Sequence, residues 1–509
     1  MAHLVTEGSK YFMIILFAVY TYECFAVFRR KTGEKREARI FKRQTVYLFL
    51  IHMNASILIF AHQKELRYLV FYLAQVVLLA ILMFTYSKLY KKTSRLVVNN
   101  MCMLLAIGFI ILTRLDFDKA MRQFEIAVVA VIITLLVPFF IHKLKFLGKL
   151  TWIYAGIGLL MLGIVAVAGA TTYGAKLSFS FAGITIQPSE FIKIIFVFFV
   201  ASMLYESTEL KQVIKATVVA VAHVGILVLS KDLGAALIFF VVYLMMLYVA
   251  TRKIFYLLAG GGLGAVAALI CAKIFSHVQV RILAWKDPLS VYDGAGYQVS
   301  HSLFAIGSGG WFGMGLYEGM PEKIPVVDQD FVFSAISEEL GGIFAICVII
   351  VCCSCFLMFL NISMQIKDRF YKLIALGLGT VYGFQVFLTI GGVTKCIPST
   401  GVTLPLVSYG GSSLLSTLII FAIIQGLYIL RQDEGVYHEK SKNAGKQRKK
   451  AVSKAVKTGM AGEQPKQAAE KRPKRDIGKP SGQDIGKRPK QDRRRRQPKG
   501  FENDFEDLD

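Results

Sequence analysis

Residues 328–360 read DQDFVFSAISEELGG-IFAICVIIVCCSCFLMFL. The stretch from Gly341 to Leu360 carries no ionisable side chain other than its cysteine thiols and is long enough to cross a hydrocarbon core of about 30 Å, so it reads as a membrane helix. Four acids precede it: Asp328, Asp330, Glu338 and Glu339. A charge on the first turns of a membrane helix needs either a partner or a purpose. The rest of the chain sets the context. Of its 509 residues, 55% are apolar and only 18% charged, with a mean hydropathy of +0.53. That excludes a soluble domain of ordinary composition. Runs of 18 or more mostly apolar residues predict thirteen spans, near 11–28, 44–61, 69–86, 97–114, 124–141, 150–170, 188–205, 213–230, 233–250, 254–275, 332–360, 372–393 and 407–430.

The first run ends in YECFAVFRRK with no small-residue cleavage site, and reads as a retained anchor. Basic loops at 29–43, 87–95, 142–149, 251–253 and 367–372 alternate with loops of little positive charge. The positive-inside rule therefore puts the basic set in the cytoplasm, the N-terminus and residues 276–331 outside, and the C-terminus inside. Much of the net charge of +25 sits in the last 75 or so residues, whose Lys, Arg, Gln, Gly and Pro composition cannot build a core. A basic cytoplasmic tail of this kind suits anionic headgroups, and nucleic acid is the lesser reading. Cys347, Cys352, Cys353 and Cys355 crowd one helix with no histidine near them, which suits packing better than metal binding. Three spans precede the basic loop at 87–95. The chain thus divides into an N-terminal three-span extension (1–96), a membrane domain (97–430) with one large extracytoplasmic loop (276–331), and a disordered basic tail (431–509). Trp285, Tyr292, Tyr297, Phe304, Trp311 and Phe312 make that loop too aromatic to be disordered.

Polar residues stand out where the bilayer makes them costly. In QPSEFIKIIF (187–196), Pro188 suits a first helical turn, and Glu190 and Lys193 are spaced to pair on one face. That pair either locks helices or meets a ligand. Lys231 and Asp232 fall between two spans, where Asp232 suits a helix cap. GGVTKCIPSTGVTLPLVSYGGSS (391–413) breaks an apolar region with Lys395, Pro398, Pro405 and a Ser408, Gly410, Gly411, Ser412 cluster. Backbone of that kind is tolerated at membrane depth only when it is buried in protein or lines a wet cavity, so a cavity is expected at the outer end of the bundle. Asp330 is placed to cap a helix beginning near Phe331, without a capping box because position N3 is Phe333.

Together, QPSEFIK, KDLGAALIF, GYQVSHSLFAIGSGGWFGMGL, DFVFSAISEELG and PSTGVTLPLVSYGGSS resemble the SEDS family (shape, elongation, division and sporulation; the RodA, FtsW and SpoVE group) over about residues 97–430. The resemblance implies an all-α bundle of ten membrane helices. It also implies a peptidoglycan glycosyltransferase that polymerises lipid II at the outer face of the bacterial cytoplasmic membrane, in elongation, division or sporulation. The implied partner is a monofunctional (class B) penicillin-binding transpeptidase. The family's essential aspartate corresponds to Asp330, which would act as general base on an attacking sugar hydroxyl. Glu190, Lys193, Lys395, Ser408, Gly410, Gly411 and Ser412 would contact substrate, the cations holding its diphosphate. No protein metal site is implied, and a divalent cation on the diphosphate stays open.

The chain departs from the family pattern at several points. Val326 and Asp328 stand where the family has Glu and His, and Asp328 is placed to repel Asp330. GAKL (174–177) replaces a motif ending in Arg-Trp with Lys176 and Leu177. The three extra spans have no counterpart. The competing reading is a lipid II flippase or a non-catalytic lipid-binding scaffold, for which Glu190, Lys193 and the break near Pro398 serve equally well.

Overall fold

The computed structural model describes residues 2–433 apart from 29–32, 91, 145, 173–174 and 182–183. The tail from residue 434 and Gly174 lie outside the described residues, and Lys176 and Leu177 fall on a strand where their backbone alone is described.

The first three helices, α1 (Ala2–Ala26), α2 (Glu34–Gln63) and α3 (Leu66–Leu89), form the extension. Ten long helices follow: α4 (Arg95–Leu115), α5 (Phe117–Lys143), α6 (Thr151–Ala168), α7 (Pro188–Glu206), α8 (Leu210–Leu229), α9 (Leu233–Thr251), α10 (Ile254–Ile274), α14 (Gly342–Gln365), α15 (Arg369–Val393) and α16 (Gly411–Asp433). Among the described residues, twelve helices are long and apolar enough to cross a membrane. α1, the expected thirteenth, is not among these twelve; it carries Lys10 and Glu23 at the two ends of its apolar stretch and packs along α2 and α14. A small antiparallel sheet, β1 (Ala170–Thr172), β2 (Ala175–Phe181) and β3 (Ile184–Ile186), joins α6 to α7 and is the one non-helical element in an otherwise all-α fold.

The extension is welded to the bundle. α2 and α3 lie along α4, and α1 lies along α14, so the apolar stretch of α4 is wholly buried. In lipid, apolar contact alone gives helices little reason to associate, and interhelical hydrogen bonds supply specificity. Asn100 of α4 accepts from Tyr20 Oη (2.9 Å) and donates to Ser354 Oγ of α14 (3.2 Å). Asn99 donates to Gln44 of α2 (3.1 Å), and His52 of α2 meets Gln75 of α3 at 2.8 Å.

The large loop is built on α11 (Ser276–Lys286), α12 (Tyr297–Gly309) and α13 (Val332–Leu340). Here the structure corrects the expected span 332–360: it is two helices, α13 and α14, broken at Gly341. Gly341 has φ +91°, and an added methyl group would sit 2.4 Å from the Gly313 nitrogen. Only glycine fits there. A broken helix leaves carbonyls and amides that must be satisfied. The segment 310–315 satisfies them: the amides of Met314 and Gly315 donate to the carbonyls of Glu338 and Glu339 (2.9 Å each), and those of Gly342 and Ile343 donate to Gly310 and Trp311 (2.8 and 3.1 Å). α13 is therefore a short buried helix of the large loop rather than the start of a span.

Candidate active site

α13 starts at Val332 with Phe331 as its cap, and no side chain caps it. Asp330 is thus not the N-cap expected from sequence. A turn over 326–331, with Val326 at φ +59° and the Gln329 amide donating to the Val326 carbonyl, delays the helix by one residue. The Asp330 carboxylate has no hydrogen bond or ion pair among the described residues. Its surroundings are Gly401 and Arg281: a methyl group added at Gly401 (φ +73°) would lie 3.5 Å from Asp330 Oδ2 and 3.5 Å from the Arg281 guanidinium. Burial pushes the Asp330 carboxyl up to about 6, against the pull of Arg281 and with a further push from Asp328. A carboxylate poised close to neutrality can both hold and release a proton at working pH.

Arg281 reaches this position from α11, which is tied to the broken loop between α15 and α16. Arg281 Nη1 donates to the Ser399 carbonyl (3.0 Å), and Trp285 Nε1 donates to that of Lys395 (3.0 Å). His277, one turn before Arg281, is pushed down by burial and by the positive charges of Arg281 and Lys231. Arg281 and Lys231 thus both act on His277, and Lys395 belongs to the loop that α11 grips.

Asp328 takes a different course. It is buried and ion-paired with Lys119 of α5 at 3.1 Å, while its carbonyl accepts from the Tyr409 amide (2.8 Å). Next to it, the Gln329 carbonyl accepts from Ser408 Oγ (2.5 Å). Of the residues expected to contact substrate, Ser408 therefore pins the aspartate turn. Gly410 donates its amide to Gln123 Oε1 (3.2 Å), Gly411 packs closely on Ile126, and Ser412 Oγ accepts from the Gln187 amide (3.0 Å). The structure makes this cluster a set of tethers joining α5, α7 and the loop, with Ser408 its contact to the aspartate turn.

Glu190 and Lys193 form a buried pair at 2.7 Å, reinforced by Ser416 Oγ donating to Glu190 (2.9 Å) and by Lys193 donating to Gln385 (2.8 Å). They fasten α7 to α15 and α16. Asp232 caps α9, accepting from the Ala235 amide (3.1 Å) and from Ser189 Oγ (3.2 Å). Of the two glutamates, Glu339 meets a cation, Arg114 of α4, at 2.7 Å, whereas Glu338 accepts the Met320 amide at 3.1 Å. Sequence reasoning passed over Arg281, Lys119 and Arg114. The available signal for Arg281 was a single cation four residues before Trp285 in an otherwise apolar stretch, VRILAW.

Comparison with known proteins places this geometry in a family. The chain matches the family model of cell cycle proteins FtsW, RodA and SpoVE over residues 94–432, starting just after α3. It is 33% identical over 361 residues to the peptidoglycan glycosyltransferase RodA of Mycobacterium tuberculosis, covering 65% of this chain and 77% of that protein. It is 32% identical over 284 residues to a probable peptidoglycan glycosyltransferase FtsW of Aliivibrio salmonicida, covering 53% and 70%. Among solved structures, one described as structural coordination of polymerization and crosslinking by a peptidoglycan synthase complex superposes with a TM-score of 0.57 at 26% identity, covering 67% of this chain and 98% of that one. The rod-shape-determining protein RodA of Thermus thermophilus gives 0.50 at 26% identity, covering 67% and 97%.

Proposed function

Because the chain belongs to the FtsW, RodA and SpoVE family of cell cycle proteins, we propose that it is a peptidoglycan glycosyltransferase polymerising lipid II, with Asp330 as its general base. The observation that carries the assignment of Asp330 is its unengaged carboxylate, raised to about 6 and facing Arg281 at the outer end of the bundle. In the reaction, a sugar hydroxyl attacks the anomeric carbon of a lipid-linked sugar diphosphate. The new glycosidic bond forms as the bond to the diphosphate oxygen breaks, and the hydroxyl proton passes to Asp330. The leaving diphosphate carries the developing negative charge, and Arg281, Lys231 and Lys395 are the cations suited to receive it. Arg281 has a double task, since its charge also keeps Asp330 from climbing further.

Ser408 serves this chemistry by holding the aspartate turn, Gly410, Gly411 and Ser412 by tying the loop to α5 and to the start of α7, and Glu190 and Lys193 by fastening α7 to α15 and α16. No resident metal is assigned. Among the described residues, no three His, Cys, Asp or Glu side chains converge, and Asp328 is already committed to Lys119. A divalent ion used by the reaction would arrive on the diphosphate, with Asp330 as its nearest carboxylate. The reading also takes the protein as a multi-pass protein of the bacterial cytoplasmic membrane, with its N-terminus and large loop outside and its C-terminus in the cytoplasm. The Lys10 ammonium bonds the Gly313 carbonyl of that loop (3.1 Å), which supports the two lying on one side. A class B penicillin-binding transpeptidase is its proposed partner, a reading supported by its likeness to a chain described under structural coordination of polymerization and crosslinking by a peptidoglycan synthase complex.

The flippase alternative loses its main support, because Glu190 and Lys193 are closed on each other and on Ser416 and Gln385 rather than left to line a path. The test is polymerisation of lipid II in detergent by the purified chain with its transpeptidase. Asp330→Asn is expected to fold and to lose about 10²- to 10⁴-fold in rate, the usual worth of a general base. Wild-type glycan synthesis by that variant would refute the assignment.

A further inference from the structure

The extension does more than cover α4. Its outer end touches one stretch of the large loop, residues 311–317, at several points. Lys10 of α1 donates to the Gly313 carbonyl (3.1 Å), and Tyr11 packs on Phe312 with ring centroids 5.5 Å apart. At the end of α2, His62 stacks on Tyr317 at 4.1 Å and 13°, and Gln63 Nε2 donates to the Tyr317 hydroxyl (3.2 Å). Tyr317 holds φ +70°, a backbone conformation that a bulky side chain adopts only when its surroundings enforce it. A third clamp comes from the bundle itself, with the Arg114 guanidinium lying 4.7 Å from the Tyr317 ring centroid.

From Tyr317 the contacts lead directly to the catalytic turn. Its amide donates to Glu339 Oε1 (3.2 Å), the same oxygen that Arg114 Nε binds, and Arg114 also reaches the Gly319 carbonyl (3.4 Å) and Glu322 (3.3 Å). Glu339 lies near the end of α13, nine residues that are all buried, and the other end of that helix begins two residues after Asp330. A short, fully packed helix moves as a unit, so whatever fixes Glu339 fixes the direction from which Asp330 emerges. The extension does not need Tyr317 for its own attachment, which the Asn99 and Asn100 bonds and the long faces of α1 and α2 already provide.

We propose that the N-terminal three-helix module is a brace for the catalytic turn and that Tyr317 is the positioning residue through which it acts. The proposal rests on the reading of Asp330 as the base. It gives a task to a part of the chain that lies outside the family match at residues 94–432. Deleting the module would strip α4 and test nothing, so point variants at the clamp are required. His62 is exposed and Gln63 half-buried, so a His62→Ala/Gln63→Ala double variant removes the module's grip on Tyr317 without touching a core.

The full-length protein is assayed with lipid II in detergent, alongside hydrogen exchange of residues 328–340. Tyr317→Ala and the double variant are expected to lower kcat by about 10- to 100-fold with KM within about twofold, the pattern of a misplaced catalytic group rather than a lost binding contact. Exchange at 328–340 should rise, and the acid limb of the pH profile should move to lower pH as Asp330 becomes better hydrated. His62→Phe, which keeps the stack, and Tyr317→Phe, which keeps both ring contacts, should restore most of the rate. Wild-type kcat and wild-type exchange in the double variant would overturn the brace, and that variant decides the matter should Tyr317→Ala fail to fold. An active Asp330→Asn variant would instead sink the base assignment, while the exchange measurement would still judge the brace on its own.

Discussion

The sharpest consequence of the site is that two neighbouring charges should move its acid limb in opposite directions. With Asp330 at about 6, roughly 97% of it is ionised at pH 7.5 and about 10% at pH 5, so kcat/KM should fall about tenfold between the neutral plateau and pH 5. An aspartate with the ordinary value near 3.8 would still be more than about 90% ionised at pH 5, and the profile would be almost flat. Burial is the main cause of the shift, Arg281 opposes it and Asp328 adds to it. Arg281→Gln therefore removes a cation that favours the ionised form, and the limb should move to higher pH. Asp328→Asn removes a repelling charge, and the limb should move to lower pH. The assay is the initial rate of lipid II polymerisation from pH 5 to pH 8, with thermal unfolding followed in the same detergent to show that each variant is folded. A wild-type limb near pH 4, or a shift of both variants in the same direction, would refute the electrostatic account of Asp330.

Two structural predictions stand beside it. Lys193→Met leaves the buried Glu190 carboxylate with Ser416 alone and should destabilise the protein by about 3–5 kcal/mol, read as a lower Tm, whereas Glu190→Gln/Lys193→Met should recover most of the loss. A single variant that melts with the wild type would contradict the pair's role as a lock. Gly341→Ala puts a side chain at φ +91° and a methyl group 2.4 Å from the Gly313 nitrogen, so folded yield from size-exclusion chromatography should drop severely, while Gly307→Ala, where the added methyl meets nothing within 4 Å, should behave as wild type.

The membrane helices were legible because a span announces itself within about twenty residues. The break between α13 and α14 was not. In sequence, Gly341 and Gly342 sit inside an apolar run that could continue as one helix, and what ends it is a hydrogen-bonding partner about thirty residues earlier, at 310–315. The Glu190 and Lys193 pair was legible for the opposite reason, since both partners lie one turn apart on the same helix. Asp330 came from the order of motifs, and the local cap pattern pointed to the wrong task, because a turn held by Ser408 and Tyr409 from far along the chain displaces the helix start. Arg281, Lys119 and Arg114 were hidden among 59 basic residues. Only the folded chain shows which of these faces an acid.

The four acids at the head of this segment follow a physical logic that no one of them shows alone. A carboxylate in poorly hydrated surroundings needs a partner, and neighbouring carboxylates repel one another. Here Asp328 is matched by Lys119, Glu339 by Arg114, and Glu338 by the Met320 amide, so three of the four are committed to holding the loop. Asp330 alone has a cation nearby without a bond to it, since Arg281 spends a hydrogen bond on the Ser399 carbonyl. Its proton affinity is therefore set mainly by burial and remains free to respond to an arriving hydroxyl. Because Glu339 also receives the Tyr317 amide, its pairing with Arg114 carries the grip of the N-terminal helices to α13, whose first residue lies two after Asp330.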